Sequence, residues 1–122
     1  MTLELLPPKF TVCQLAADSE ADLSAPFTFF ARTDEELSLV CPLDACPASA
    51  LNRQDGWRCL RVKGPLDFSL IGILSRISTL LAEHKIGIFA VSTYNTDYIL
   101  VKRENFVRAL DALESAGYRV ER

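Results

Sequence analysis

Two stretches of the chain concentrate groups suited to holding a small polar molecule. The first is Gly64-Pro65-Leu66-Asp67-Phe68-Ser69, a loop leading from a strand-like run into the start of a strongly patterned helix. Backbone N–H groups at a helix N-terminus have no partner within the helix, and with the helix dipole they favour a carboxylate or phosphate. Gly72 falls early in that expected helix, where glycine costs roughly 1 kcal/mol relative to alanine. A glycine there fits close approach of a ligand or a second backbone, and equally fits close packing against a sheet. The second stretch, Ser92-Thr93-Tyr94-Asn95-Thr96-Asp97, gathers hydroxyls, an amide and a carboxylate between two apolar runs. A hairpin needs only a turn pair, so this is more polar chemistry than chain reversal requires. Asp97 directly precedes Tyr98-Ile99-Leu100-Val101, a strand start where it either caps backbone groups or meets a cation.

Catalytic motifs are absent. The sequence contains no G-x-S-x-G, H-E-x-x-H, P-loop or G-x-G-x-x-G, so no catalytic residue and no cofactor is expected. Its one histidine, His84, stands at a helix end, where its charge suits the dipole and where it makes a poor general base. The four cysteines, Cys13, Cys41, Cys46 and Cys59, include no C-x-x-C pair, and no metal site is expected. Cys13 and Cys59 lie in apolar runs and read as buried small hydrophobes. Cys41 and Cys46 are each followed by proline and are not expected to form an obligatory disulfide in a reducing compartment. Asp18, Glu20 and Asp22 read as a solvated loop, and Asp34-Glu35-Glu36 as a hairpin tip.

The chain has 122 residues, 49% hydrophobic and 24% charged, enough apolar surface for one ordinary domain or two very small ones. A net charge of −3 gives no overall positive field, which argues against nucleic acid and anionic membrane as partners. No run reaches the roughly 18 apolar residues that span a bilayer, and Glu4 stands where a signal peptide carries Lys or Arg. A cytoplasmic protein is expected.

The elements that must position the two polar stretches follow from periodicity. A helix is predicted over 69–84 from the stripe Leu70, Ile73, Leu74, Ile77, Leu80 and Leu81, started by Asp67 or Ser69 and ended by His84, Lys85 and Gly87. A second runs from 103 or 104 to 116, with Phe106, Val107, Leu110 and Leu113 on its apolar face and Gly117 ending it. Runs 86–90 and 98–102 form a hairpin, 57–63 a half-buried strand and 118–121 a last strand. From residue 57 the order is β-α-β-β-α-β, an α+β, ferredoxin-like arrangement.

The first half reads as a worn copy of this plan: a strand over 9–15, a hairpin of 27–33 with 37–41, and a short helix within 42–50. Phe30-Ala31-Arg32-Thr33 leading to Leu37-Ser38-Leu39-Val40 echoes Phe89-Ala90-Val91-Ser92 leading to Tyr98-Ile99-Leu100-Val101, with the second hairpin about two residues longer. Residues 15–26 are too short and polar for the first helix of such a module. The expected organisation is therefore two tandem modules, 1–56 and 57–122, the first degenerate in its first helix. A sheet left half covered must bury its face on the second half or on another copy, so a homodimer is expected.

At these residues the chain resembles the ACT-domain family. The resemblance rests on Trp57-Arg58-Cys59-Leu60, on Gly64 to Ser69, on Ile88 to Val101, and in the first half on Phe29 to Pro42. The nearest branch is that of small bacterial proteins with two tandem ACT-like modules, related to the ACT repeats of cytosolic arginine sensors. ACT domains are regulatory modules that bind amino acids, often between paired domains. Carried over by position, the resemblance places Gly64, Pro65, Leu66, Asp67, Phe68, Ser69 and Gly72 against a ligand's carboxylate or flank. Tyr94 and Asp97, with Ser92 and Thr93 beside them, match positions lining the amino-acid pocket. Asp67-Phe68-Ser69 departs from the general ACT glycine motif.

The residues and the resemblance converge on a non-enzymatic sensor or regulatory module for an amino acid or similar small zwitterion, acting on an enzyme or transporter. A helix N-terminus opposite Asp97 supplies donors for a carboxylate and an acceptor for an ammonium. The competing reading is a dimerisation or protein-interaction module without a ligand.

Overall fold

The structure, a computed structural model, describes residues 1–64 and 71–122. The chain divides into two compact units, one of Met1–Pro7 with Arg58–Arg122 and one of Pro8–Trp57. Strand β1 is Thr2–Leu5, β2 Phe10–Leu15, β3 Phe29–Arg32, β4 Leu37–Pro42 and β5 Asn52–Val62. They are followed by α1 (Ile73–Glu83), β6 (Ile88–Ser92), β7 (Asp97–Lys102), α2 (Phe106–Ser115) and β8 (Arg119–Glu121). β5 contributes residues 52–57 to the smaller unit and 58–62 to the larger.

The larger unit follows β-α-β-β-α-β from β5 to β8 in an α+β, ferredoxin-like fold, and its strands lie in the order β6-β7-β5-β1-β8. β1 pairs antiparallel with β5 at Leu3↔Val62 and parallel with β8 at Leu3↔Val120, so it separates the first and last strands of that succession. Strand alternation sends Leu60 and Val62 to one face together with Leu3, Ile99 and Val101. There they pack with Ile77 and Leu81 of α1 and Ala109, Leu110 and Leu113 of α2. Arg58 reaches the same layer by laying its guanidinium 4.9 Å from the Phe106 ring.

Both helix ends are closed by paired backbone bonds that use up the last carbonyls. After α1, Ile86 N–H donates to Leu81 O at 2.9 Å and Lys85 N–H to Ala82 O at 2.9 Å. The left-handed residue of this cap is Lys85, at φ 59°, so Lys85 and not Gly87 ends the helix. After α2, Gly117 at φ 96° plays that part as expected, and Tyr118 N–H donates to Leu113 O at 3.0 Å. The second helix starts later than its pattern suggests, behind a 3₁₀ turn at Arg103–Asn105, and Val107 is 69% exposed instead of joining the core.

The smaller unit orders its strands β3-β4-β2-β5 and contains no α-helix. The helix expected within 42–50 is reduced to a 3₁₀ turn at Leu43–Ala45. Cys13, Leu15, Leu37, Leu39 and Cys41 form its buried face, covered by Ala21, Ala45, Cys46 and Ala50. Small side chains let loop backbone lie close to a sheet where a helix would otherwise stand.

The internal repeat is tighter than the sequence echo implies. Phe29↔Val40 and Arg32↔Leu37 in one hairpin correspond to Phe89↔Leu100 and Ser92↔Asp97 in the other, so each position recurs 60 residues later. The two connecting loops are equal in length, which corrects the expectation of a longer second hairpin. Thr33 N–H donates to Glu36 O and Thr93 N–H to Thr96 O, both at 2.9 Å. Pro42 (φ −54°, ψ 145°) and Lys102 (φ −59°, ψ 142°) then open matching 3₁₀ turns.

Candidate functional site

The β6–β7 hairpin is held by its own threonines. Thr93 Oγ1 donates to Thr96 O at 2.9 Å and accepts from Thr96 N–H at 3.4 Å, which closes the loop on itself. Thr96 is 6% exposed, and its hydroxyl donates to Val62 O at 2.6 Å. That bond fixes the hairpin tip to the end of β5, two residues before Gly64. Lys63 is fixed on the other side, its N–H donating to Thr2 O at 2.9 Å and its Nζ 3.1 Å from Glu121 Oε1. The second polar stretch is thus anchored where β5 ends, two residues before Gly64, the one described residue of the stretch 64–69.

Asp97 opens β7 opposite Ser92, and the Ser92 hydroxyl donates to Asp97 Oδ1 at 2.6 Å. The carboxylate is half-buried while Ser92 is exposed. A carboxylate offers about four lone-pair sites, so one hydroxyl bond orients it without exhausting its capacity to accept from a cation. Tyr94, at the loop tip, is 82% exposed, and Thr93 and Gly64 are exposed as well. One residue along β7, Tyr98 lies against Arg61, whose guanidinium is 6.0 Å from the ring centroid. Arg61 is itself tied to Glu4, with Nε 3.2 Å from Oε1. Hydrogen bonds to Tyr98 and Glu4 raise the Arg61 pKa, so this cation stays committed to the sheet surface.

Gly72 does not stand inside the helix. It is the residue before α1, in the left-handed conformation at φ 83° and ψ 0°, and among the described residues no side chain caps the helix start. Among the described residues, the atoms nearest to a Cβ added there are those of the Arg76 guanidinium, at 3.7–3.9 Å. Neither close packing on the sheet nor close approach of another protein backbone explains the glycine; its positive φ does. Pro65, Leu66, Asp67, Phe68 and Ser69 lie outside the described residues, as does Leu70.

Sequence reasoning passed over two features. A cleft of about 220 Å³ lies between the start of α1 and the α2–β8 turn, lined by Met1, Ile73, Arg76, Ala116, Gly117 and Tyr118. Arg76 belongs to it by helical spacing from Gly72, whose carbonyl accepts from Arg76 N–H at 2.9 Å. The second feature is Thr96, whose burial was hidden by its place in a polar stretch. Among the described residues no cluster of three His, Cys, Asp or Glu side chains is arranged to hold a metal ion. No helix among them is long and apolar enough to cross a membrane.

A family model described as ACT domain matches residues 52–115. A crystal structure of an Agobacterium tumefaciens protein superposes with a TM-score of 0.87 at 31% identity, covering 98% of this chain and 90% of that one. A Vibrio cholerae protein of unknown function, described as a possible transport protein, gives 0.65 at 24% identity over 91% of this chain and 85% of that one. The aspartate kinase of Clostridium acetobutylicum, an allosteric enzyme, gives 0.62 at 18% identity over 88% of this chain and 33% of the enzyme, a likeness of fold. No curated protein matches the chain in sequence.

Proposed function

The chain belongs to the ACT-domain family, and from that membership we propose that it is a non-enzymatic regulatory module binding an amino acid or similar small zwitterion. ACT domains are regulatory modules for small molecules. The observation that carries the finer reading is the half-buried Asp97 carboxylate, oriented by Ser92 on a hairpin that Thr96 fixes beside the end of β5. In this reading Asp97 accepts from the ligand's ammonium, with Ser92, Thr93 and Tyr94 around it. The segment of Gly64, Pro65, Leu66, Asp67, Phe68, Ser69 and Gly72 meets the ligand's carboxylate or flank. The chain works in the cytoplasm as a homodimer, each copy holding two ACT-like units, and ligand binding biases the packing through which it acts on an enzyme or transporter.

The test is thermal shift against the twenty amino acids, followed by calorimetry on the best of them for the parent and Asp97→Asn. Loss of a charge-assisted hydrogen bond costs about 1.5–3 kcal/mol, so affinity is expected to fall roughly 10- to 100-fold. A dimeric protein that no amino acid stabilises would instead favour the ligand-free interaction module.

A further inference from the structure

Three of the four cysteines come together in the smaller unit, although their spacing of 28 and 5 residues gives no motif. Cys13 pairs with Leu39 across β2 and β4, so Cys41, two residues further along β4, lies diagonally beside it on the same face. Both are buried, at 3% and 1% exposure. Cys46 follows the 3₁₀ turn after β4 and packs onto this pair from outside, half-buried. The Cys13 thiol shares hydrogen bonds with Cys46 and with Cys41, so it stands in the middle of the three. All four thiols are free, and Cys59 is buried in the larger unit.

We propose that Cys46 and Cys13 form an oxidative modification site, in which a small hydroperoxide oxidises Cys46 and Cys13 resolves the product to a reversible disulfide. Exposure and contact assign the roles. Cys46 is the one thiol of the three that solvent reaches, and it acts on the Cys13 thiol by hydrogen bonding as well as charge, on Cys41 by charge alone. Burial and the bond to Cys46 push the Cys13 thiol up to about 12, which keeps it protonated and unreactive toward peroxide on its own.

In the first step Cys46 Sγ, having given up its proton, attacks one peroxide oxygen. The O–O bond breaks, the second oxygen leaves with a proton as water (or as an alcohol from an alkyl hydroperoxide), and Cys46 becomes a sulfenic acid. In the second step Cys13 Sγ attacks the Cys46 sulfur. The S–S bond forms as the S–OH bond breaks, and the hydroxyl leaves with the Cys13 proton as a second water. Two thiols are oxidised by two electrons and one peroxide is reduced by two. The product ties the segment after β4 to the central strand β2, and a dithiol reductant reverses it.

The reduced full chain is treated with hydrogen peroxide in stoichiometric steps, quenched with an alkylating agent, and read by intact mass and peptide mapping. The expected result is a protein with two alkyl groups fewer than the untreated control, a Cys13–Cys46 crosslinked peptide, and two thiols that become alkylatable after dithiothreitol. Cys46→Ser should lose the crosslink at the same dose. Cys13→Ser should halt Cys46 at a sulfenic acid that a cyclic 1,3-diketone traps. A crosslink mapped to Cys13 and Cys41, disulfides only between chains, or Cys46 fully alkylated after the dose that oxidises free cysteine would each overturn the assignment. The parent map alone decides the matter if either variant fails to fold.

Discussion

Replacing Thr96 by valine removes one hydroxyl and leaves the shape of the side chain almost unchanged. That hydroxyl is buried and donates to Val62 O at 2.6 Å, which ties the β6–β7 tip to the end of β5. Without it the carbonyl loses a partner in a place where water does not readily substitute, at a cost of about 1–3 kcal/mol. For 122 residues the unfolding entropy is roughly 0.26 kcal/mol per kelvin, so the melting temperature should fall by about 4–12 °C. Thr96→Ser keeps the hydroxyl and loses one methyl, about 0.8 kcal/mol or roughly 3 °C. Thermal and urea unfolding followed by circular dichroism rank the three proteins. A valine variant as stable as the parent, or more stable than the serine variant, refutes the reasoning, because the hydrogen bond would then carry no net weight.

Two further expectations follow from local geometry. Gly72→Ala places a Cβ on a left-handed residue, at ordinary contact distance from the Arg76 guanidinium, so it should cost about 1–2 kcal/mol in urea unfolding, and Gly72→Asn less. Burial pushes the Cys59 thiol from its usual 9.0 to about 12. Between those values the unfolded chain has lost a proton that the folded one keeps, so the stability contributed by the neutral thiol is full below pH 9 and falls as pH rises. The slope is about 1.4 kcal/mol per pH unit, and Cys59→Ala should remove that part of the alkaline decline in chemical unfolding titrations.

What the sequence reveals and what it hides divide along burial. The stripe Ile77, Leu81 and the run Ile99 to Val101 announce α1 and β7 because both elements bury one side against a core. β1 carries only Leu3 and Leu5 in four residues, too short for alternation to register, yet Leu3 is fully buried. Residues 52–56 carry no strand signal in the sequence because none of them is buried. They are strand only through pairing with β2 at Val12↔Gln54 and Cys13↔Arg53, a long-range fact with no local signature. Lys85 and Gly72 show the same limit in reverse. Glycine is the residue expected at positive φ after a helix, and α1 has a lysine there while its glycine of positive φ stands before its first residue. At the candidate site, hydroxyl and carboxylate types single out the β6–β7 hairpin. Which threonine is buried depended on where β5 ends.

The repeat sharpens what Asp97 is for. Its counterpart 60 residues earlier, Leu37, holds the same register position at the start of β4 and is 2% exposed, so this place in the fold accepts an apolar side chain. The loop closure that precedes it is made by Thr33 in one hairpin and Thr93 in the other, and neither uses the following strand's first side chain. A carboxylate at 97 is thus not required to turn the chain. The structure shows its bond to the exposed Ser92 hydroxyl, and Asp97→Asn keeps an acceptor oxygen for that bond. The substitution should therefore change the melting temperature of the free protein by less than about 2 °C, since an exposed, retained hydrogen bond is worth at most a few tenths of a kcal/mol in the difference. Ligand affinity, which depends on the charge, should fall roughly 10- to 100-fold. If the asparagine protein instead melts well below the parent without ligand, the charge serves the hairpin; if it melts alike and binds its amino acid equally well, the ammonium is held elsewhere. Either outcome removes Asp97 from the site, and only loss of affinity at unchanged stability keeps it there.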